Sequence, residues 1–166
     1  MKKLLIFILL ISSQLYSQTK TEYSTSSGSV QGGIAFSISA PQVIPLIGFD
    51  FENRISKSFT IFASGSILIY GRSGLNSIIE LSAGPRWTSS KKQIDPIFEI
   101  GLGLYKELSS NSGFIPGLNA GIDLSDPIGR NTEMIYKIKA HALVAVGHGA
   151  AIGYFGELLI GIKFDF

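Results

Sequence analysis

The chain contains no cysteine among its 166 residues, so neither a disulfide nor a lipoprotein anchor on a first-residue cysteine is open to it. Charged residues are scarce, at 16% of the chain, and they form no basic run or face, which argues against nucleic acid as a partner. After residue 18 no apolar run approaches the roughly 20 residues of a membrane-spanning helix. The mean hydropathy is nevertheless positive. A hydrophobic chain without apolar helices is typical of a protein whose apolar residues alternate with polar ones along strands.

The first eighteen residues have the three parts of a secretory signal peptide. Lys2 and Lys3 form a positive start, residues 4–11 are continuously apolar, and residues 12–17 supply small and polar residues. The apolar part is far too short for a membrane anchor. We therefore predict a signal peptide over residues 1–18, cleaved after Ser17 or Gln18, a polar lead-in over 19–29, and a single β-barrel domain over 30–166.

The remainder of the chain divides into eight β-like segments. They are predicted at 30–40, 46–55, 59–70, 77–88, 95–106, 114–125, 133–146 and 154–166, and the separators between them are rich in Gly, Pro, Ser, Asn and Asp. Segments of this length match tilted transmembrane strands of about 9–11 residues better than the 5–6 residues usual in soluble sheets. The predicted fold class is all-β, an eight-stranded antiparallel up-and-down transmembrane β-barrel.

Every segment alternates with period two. One face of each segment is apolar, and the other face collects the charged residues. The predicted lumen charge network consists of Asp50, Glu52, Arg54, Glu80, Arg86, Glu99, Asp123, Lys137, Lys139, His141, Glu157, Lys163 and Asp165. A charge facing lipid at the bilayer midplane costs about 2–4 kcal/mol, which gives this separation a physical cause.

Alternation alone does not say which face is inside. A soluble antiparallel sheet also alternates, with its charged face in water and its apolar face in the core. The aromatic residues favour a membrane, because many of them flank the same set of turns and the C-terminus, as an interfacial girdle does. The predicted girdle, at one rim of the barrel, comprises Phe51, Phe59, Trp87, Phe98, Tyr136, Phe164 and Phe166.

The ordered series of patterns, including residues 46–67, 96–105, 117–127 and the closing GELLIGIKFDF, resembles the small outer-membrane β-barrel family of Gram-negative bacteria, OmpA/OmpX-type in size. The resemblance implies location in the cell outer membrane and both termini in the periplasm. It also implies that Phe164 and Phe166 belong to a C-terminal signal for the outer-membrane assembly machinery. Periplasmic turns are then expected at 53–58, 89–93 and 126–132, and external loops at 40–46, 71–76, 107–113 and 147–153. External loops in this family are usually the longer ones, whereas these are no longer than the turns.

The leading functional hypothesis is an integral outer-membrane protein with a structural or envelope-integrity role, in contact with membrane lipid and lipopolysaccharide and monomeric. An eight-stranded barrel is just wide enough for side chains to fill, so paired charges are expected to plug the lumen. A narrow ion path along these charges is the alternative. A second hypothesis is a soluble periplasmic or secreted barrel that binds an apolar ligand inside, as a lipocalin does.

An enzyme that modifies lipid A is the third hypothesis and the weakest. His148, with Glu157 downstream, is similar to the histidine and acid of an outer-membrane deacylase, but Ala150 stands where that motif has its serine nucleophile. We therefore predict no catalytic site and no cofactor. His141 and His148 are seven residues apart on one strand and fall on opposite faces, so no metal site is expected from that pair.

Overall fold

The computed structural model describes residues 26–37, 42–69, 77–88, 96–108, 113–145 and 151–166. The predicted signal peptide, most of the lead-in and His148 lie outside these residues. The strands are β1 Ser26–Ser37, β2 Val43–Ser56, β3 Phe59–Leu68, β4 Ile78–Thr88, β5 Ile97–Glu107, β6 Ile115–Pro127, β7 Thr132–Ala145 and β8 Ala151–Asp165. Within the described residues, no helix is long and apolar enough to span a membrane.

The eight strands close into one barrel in sequence order. Each strand pairs antiparallel with the next, and β1 pairs antiparallel with β8 to complete the ring. Ser27 lies opposite Glu52 on one side and Asp165 on the other, which places the start of β1 beside the end of β8. Closure leaves no unpaired edge among the eight strands, and their even number puts the start of β1 and the end of β8 at the same mouth of the barrel. We call this the terminal mouth, and the opposite one the hairpin mouth. The predicted fold class is therefore confirmed.

The apolar and charged faces of the strands point in opposite directions, and the charged face is inside. In β5, Phe98, Ile100, Leu102 and Leu104 are exposed on the outer surface, whereas Glu99 is 1% exposed. The same alternation continues in β2, where the burial changes at every residue from Val43 to Glu52. This orientation contradicts the alternative of a soluble sheet with its charged face in water.

One strand boundary differs from the sequence-based expectation. Residues 26–29, which were expected in the polar lead-in, form the first four residues of β1 and pair with β2 and β8. Their polarity is that of the barrel interior, because Ser27 and Ser29 are both buried. Gly28 faces outward between them, beneath the ring of Phe166. The other seven predicted segments overlap observed strands, and their ends differ by at most three residues.

Candidate functional site: the charged barrel interior

Arg86 on β4 is the centre of the largest group of interior charges. Its Nε–H donates to Glu99 Oε2 at 2.7 Å, Nη1 donates to Glu52 Oε1 at 2.6 Å, and Nη2 donates to Asp50 Oδ2 at 2.5 Å. Its guanidinium carbon also lies 4.3 Å from the centre of the Phe62 ring. A guanidinium offers five donors in a rigid plane, so one arginine can hold carboxylates from several strands at once.

Lys137 on β7 supplies the second cation of this group. Its Nζ lies 2.5 Å from Asp50 Oδ2 and 3.3 Å from both Glu99 Oε2 and Asp123 Oδ2. Arg86 Nη2 is 3.8 Å from Asp123 Oδ2. These contacts cross the barrel and join β2, β4, β5, β6 and β7. The arginine cluster is hereafter Asp50, Glu52, Arg86, Glu99, Asp123 and Lys137.

Lys163 extends the arginine cluster toward the terminal mouth. Its Nζ lies 3.6 Å from Glu52 Oε2 and 3.5 Å from Glu133 Oε2. Glu133 is half-buried at the start of β7 and was not among the residues predicted from sequence. The ion pairs therefore extend from the middle of the interior to its edge.

A second group of polar residues surrounds His141 on β7. Tyr105 Oη hydrogen-bonds to His141 Nδ1 at 2.8 Å, and Lys139 Nζ donates to Glu80 Oε1 at 3.1 Å. His141 Nε2 lies 3.2 Å from Glu157 Oε2. We define the histidine cluster as Glu80, Tyr105, Lys139, His141 and Glu157.

The two clusters touch. Lys139 Nζ lies 3.9 Å from Glu99 Oε1, so it bridges the histidine cluster and the arginine cluster. A cavity of about 10 Å³, roughly the space of one water molecule, lies between them and is lined in part by Asp50, Ser64, Lys137 and Glu157. The side chains that line this cavity therefore leave room for about one water molecule.

An apolar layer lies in the interior on the hairpin-mouth side of the histidine cluster. The buried residues Ala35, Ile44, Leu46 and Leu68 contact one another. Partly buried side chains pack against them, and these include Phe155, whose ring stacks on His141 at 4.1 Å between centres. This layer was not predicted from the sequence, because its residues are apolar and lie on the same face of the strands as the charged residues.

Interior glycines make room for the largest side chains. A Cβ built on Gly103 would lie 2.5 Å from Tyr105 Oη, and one on Gly117 would lie 2.8 Å from Tyr105 Cε2. Both distances are shorter than side chains tolerate, so the tyrosine ring occupies the volume that these two residues leave. The result is that Tyr105 is 1% exposed in a barrel of only eight strands.

Most of the residues predicted for the lumen charge network lie together in the interior. The structure brings together Asp50, Glu52, Glu80, Arg86, Glu99, Asp123, Lys137, Lys139, His141, Glu157 and Lys163, each of which is buried. Arg54 and Asp165 do not join them, and no ion pair among the described residues includes either one. Arg54 is exposed beside a β-bulge two residues before the end of β2, and Asp165 is half-buried at the end of β8.

Uncharged polar residues of the same inward parity complete the interior. Ser64 and Ser82 hydrogen-bond to each other at 2.6 Å, and Gln31 donates to Ser29 at 2.8 Å. Asn119 is 2% exposed and lies opposite His141 in the pairing of β6 with β7. These residues were not predicted from the sequence, although they lie on the same face of each strand as the charged residues, and that position could have identified them.

The aromatic residues predicted as a girdle lie on the outer surface. Phe51, Trp87, Phe98, Tyr136, Phe164 and Phe166 are exposed, and Phe59 is half-buried against Trp87, with ring centres 6.1 Å apart. Trp87 lies opposite both Phe59 and Phe98 in the strand pairing, so three rings follow one another across β3, β4 and β5. Phe36, Phe114 and Tyr154 are also exposed, and they lie toward the hairpin mouth. Outward-facing aromatic residues therefore occur toward both mouths, and those near the terminal mouth were predicted from the sequence.

No protein-family model matches the chain, and no curated protein matches it in sequence. Solved structures do match. Neisserial surface protein A is similar with a TM-score of 0.65 and 12% identity, over 86% of this chain and 96% of that one. The N-terminal β-barrel domain of Pseudomonas aeruginosa OprF has a TM-score of 0.56 and 14% identity, over 84% and 97%.

The outer membrane enzyme PagL is a third similar structure, with a TM-score of 0.51 and 14% identity, over 82% of this chain and 98% of that one. At these identities the similarity is one of fold. The chain has the fold of small outer-membrane β-barrels, and that fold occurs in an enzyme as well as in other outer-membrane proteins. Function must therefore be argued from the residues of this chain.

Proposed function

We propose that the protein is an integral outer-membrane β-barrel with a structural or envelope-integrity role, and that its lumen is closed by its own side chains. The observation that carries the proposal is the inverted distribution of polarity. Six carboxylates and four cationic side chains are buried inside the barrel, while large apolar side chains cover its outside. In water, an apolar surface of this extent would drive association, whereas lipid solvates it.

Closure of the lumen is supported by three layers of packed side chains. The arginine cluster, the histidine cluster and the apolar layer follow one another from the terminal mouth toward the hairpin mouth. Ion pairs at 2.5–3.3 Å hold carboxylates and cations to one another, so moving an ion past them would require breaking contacts in a region of low dielectric constant. The layers therefore support a plug in preference to an ion path.

A structural role is supported by the ion pairs that the interior carboxylates form. The carboxylates of Asp50, Glu52 and Glu80 each contact a lysine or arginine within 3.1 Å. Groups held in this way stabilise the barrel and are poorly placed to attack a substrate. His148 and Ala150, on which the deacylase hypothesis depends, lie outside the described residues, and Ala150 lacks a nucleophile. We infer that the chain is not an enzyme.

We also propose how the chain is exported and what it contacts in the membrane. Residues 1–18 are proposed to be a cleaved signal peptide. Membrane lipid and lipopolysaccharide are proposed to contact the outward aromatic residues. The assembly machinery is proposed to read the C-terminal strand, in which Phe164 and Phe166 face outward at the terminal mouth. The ring of β-strands is complete within one chain, which supports a monomer.

Heat-modifiability in detergent tests the barrel part of the proposal. The mature chain, refolded into micelles, is expected to migrate differently on a gel before and after boiling, with β-rich circular dichroism. In the absence of detergent it should aggregate. A chain that is monomeric and folded without detergent would contradict the membrane assignment.

Planar-bilayer recording tests the plug. Wild-type barrels are expected to give no current steps above those of protein-free detergent. Exchange of Arg86 and Lys137 together to alanine should remove two interior cations and open a measurable conductance in those barrels that still show the heat shift. Regular steps from the wild type would contradict the plug and support an ion path, while leaving the membrane assignment intact.

A further inference from the structure

The described interior carries an excess of negative charge. Six buried carboxylates face four buried lysine and arginine side chains, which leaves two negative charges in excess when the histidine is neutral. Buried charges without partners are costly, so an excess of this kind requires compensation by protons or by a bound cation. A bound cation would require several ligand atoms that lie close together in the interior.

Three ligating side chains of the histidine cluster converge from three strands. Glu80 on β4, His141 on β7 and Glu157 on β8 each offer one ligand atom, and these atoms all lie within 4.8 Å of one another. The three residues are 1–2% exposed. Two atoms that each lie about 2.0–2.2 Å from one metal ion are at most about 4.4 Å apart, so these side chains would close by a few tenths of an ångström on binding an ion. The sequence analysis had considered only the pairing of His141 with His148, which this set does not use.

Buried polar atoms at this place lack hydrogen-bond partners. Among the described residues, His141 Nε2, Glu157 Oε1 and both amide atoms of Asn119 make no hydrogen bond. Asn119 lies opposite His141 across the β6–β7 pairing, so these atoms belong to one region. Buried polar atoms are normally satisfied, and a group of them that includes a histidine nitrogen and a carboxylate oxygen indicates a missing electrophilic partner.

The hydrogen bond between His141 and Tyr105 orients the histidine for this task. Tyr105 Oη contacts His141 Nδ1 at 2.8 Å, and the Phe155 ring stacks on the imidazole at 4.1 Å. In the tautomer whose Nδ1–H donates to Tyr105 Oη, Nε2 is the unprotonated nitrogen that can bind a metal, and it lies 3.2 Å from Glu157 Oε2. Ligating histidines in proteins characteristically have their second nitrogen held by such a hydrogen bond.

A second set of buried carboxylates provides a useful contrast. Asp50, Glu99 and Asp123 also bring ligand atoms within 4.8 Å of one another. Arg86 and Lys137 already contact this set, at 2.5–3.8 Å. Their positive groups satisfy the charge that a metal ion would otherwise satisfy. Glu99 Oε1 and Asp123 Oδ1 of this set also make no hydrogen bond, but the set contains no imidazole, and two cations already contact its carboxylates.

We propose that Glu80, His141 and Glu157 form a binding site for a divalent first-row transition metal ion such as Zn²⁺. A nitrogen and oxygen donor set without thiolate fits this class of ion, and one divalent ion offsets the two excess negative charges. His141 Nε2 and Glu157 are the principal ligands. Glu80 is the weaker third ligand, since its Oε1 lies 3.6 Å from His141 Nδ1, on the other side of the ring, and also accepts from Lys139 Nζ at 3.1 Å.

Metal content after refolding tests the site. The mature chain, purified without a histidine tag, is refolded in detergent with ZnCl₂, because the packed lumen limits entry after closure. It is then desalted, and zinc is counted by mass spectrometry. The expected value for wild type is close to one Zn²⁺ per barrel. Refolding with Co²⁺ should give visible absorption bands of a nitrogen- and oxygen-ligated ion.

Two ligand variants and one matched control locate the ion. H141Q and E157Q should each lower the Zn²⁺ affinity at least tenfold, whereas H148A, which removes the other histidine of the chain, should retain wild-type affinity. The heat shift on gels confirms that each variant is folded. If H141Q or E157Q does not fold, the wild-type stoichiometry and the Co²⁺ spectrum decide alone.

Two results would overturn the metal site. One is a folded wild-type barrel that retains less than a tenth of an equivalent of Zn²⁺ and shows no Co²⁺ bands. The other is a folded H141Q barrel that binds as much Zn²⁺ as wild type does. Neither result affects the proposed membrane role, which is tested separately by the dependence of folding on detergent.

Discussion

Arg86 and Glu99, neighbours across the β4–β5 pairing, form a buried ion pair in which Nε lies 2.7 Å and Nη2 lies 2.6 Å from Oε2. The pair is almost inaccessible, with side chains 1% and 0% exposed. The same guanidinium also contacts two carboxylates of β2, so the ion pairs of one side chain connect β4 with β5 and β2. The interior ion pairs therefore connect strands across the barrel and contribute to its stability.

Removal of the Arg86 guanidinium is expected to destabilise the barrel strongly. Arg86→Ala leaves at least three buried carboxylates short of a partner, and breaking a buried pair in this way costs about 3–5 kcal/mol. The measurement is the free energy of unfolding by urea in lipid vesicles. Arg54→Ala serves as the control, because Arg54 is exposed, and should change it by about 0.5 kcal/mol or less. Equal effects for the two variants would argue against the network.

A methyl group added at Gly103 should be poorly tolerated. The new Cβ would approach Tyr105 Oη to 2.5 Å, and overpacking of this kind costs about 1–3 kcal/mol. Gly32→Ala is the matched control, because a Cβ at Gly32 meets nothing within 4 Å. Urea midpoints of both variants provide the comparison. A Gly103→Ala barrel as stable as Gly32→Ala would show that Tyr105 does not fill the space assigned to it.

The single tryptophan reports on the surface of the barrel. Trp87 is 40% exposed on the outer face near the terminal mouth, so its fluorescence in vesicles should be quenched by brominated lipids. Because interfacial aromatics sit near the headgroups, bromines close to the glycerol end should quench more than bromines deep in the acyl chain. Efficient quenching by aqueous acrylamide, together with none by lipid, would place this residue in water.

A lysine placed on the outer face separates lipid from water as the surrounding medium. Ile100 and Ile128 have nearly equal exposure, 55% and 54%, but Ile100 is in the middle of β5 and Ile128 follows β6 at a turn. Ile100→Lys should destabilise the barrel by about 2–4 kcal/mol if the residue meets lipid near the midplane.

Ile128→Lys should change the unfolding free energy by about 0.5 kcal/mol or less, since a turn residue at a barrel mouth remains hydrated. Both variants are measured by urea unfolding in the same vesicles. A neutral Ile100→Lys variant would mean that the outer face is not embedded in lipid.

The period-two pattern was sufficient to predict the eight strands, their order and the residues that share each face. It did so because strand geometry forces neighbouring side chains to opposite faces. The period left the direction of the faces open, since a soluble sheet has the same period, and the prediction that the charged face lies inside depended on the aromatic residues. Polarity misled the analysis at Ser27 and Ser29, which were assigned to the lead-in although they are inward residues of β1.

The partners within the interior were beyond the reach of the sequence. Arg86 and Asp50 are 36 residues apart, and their contact crosses the barrel between strands that are not adjacent. Such contacts depend on closure and register, which alternation does not specify. The buried apolar residues Ile44 and Leu46 were not predicted for a related reason. Nothing in the sequence distinguishes an apolar residue that faces the interior from one that faces outward.

Site-directed spin labelling along β5 tests the central claim most directly, that the apolar face meets lipid and the charged face lies inside. The chain has no cysteine, so single cysteines on the outer face can be labelled without background. In vesicles, labels replacing Phe98, Ile100, Leu102 and Leu104 should be accessible to oxygen and protected from a water-soluble nickel complex, whereas a label replacing Ile128 at the turn should be accessible to the nickel complex. Equal accessibility of all five labels to the nickel complex would contradict the account.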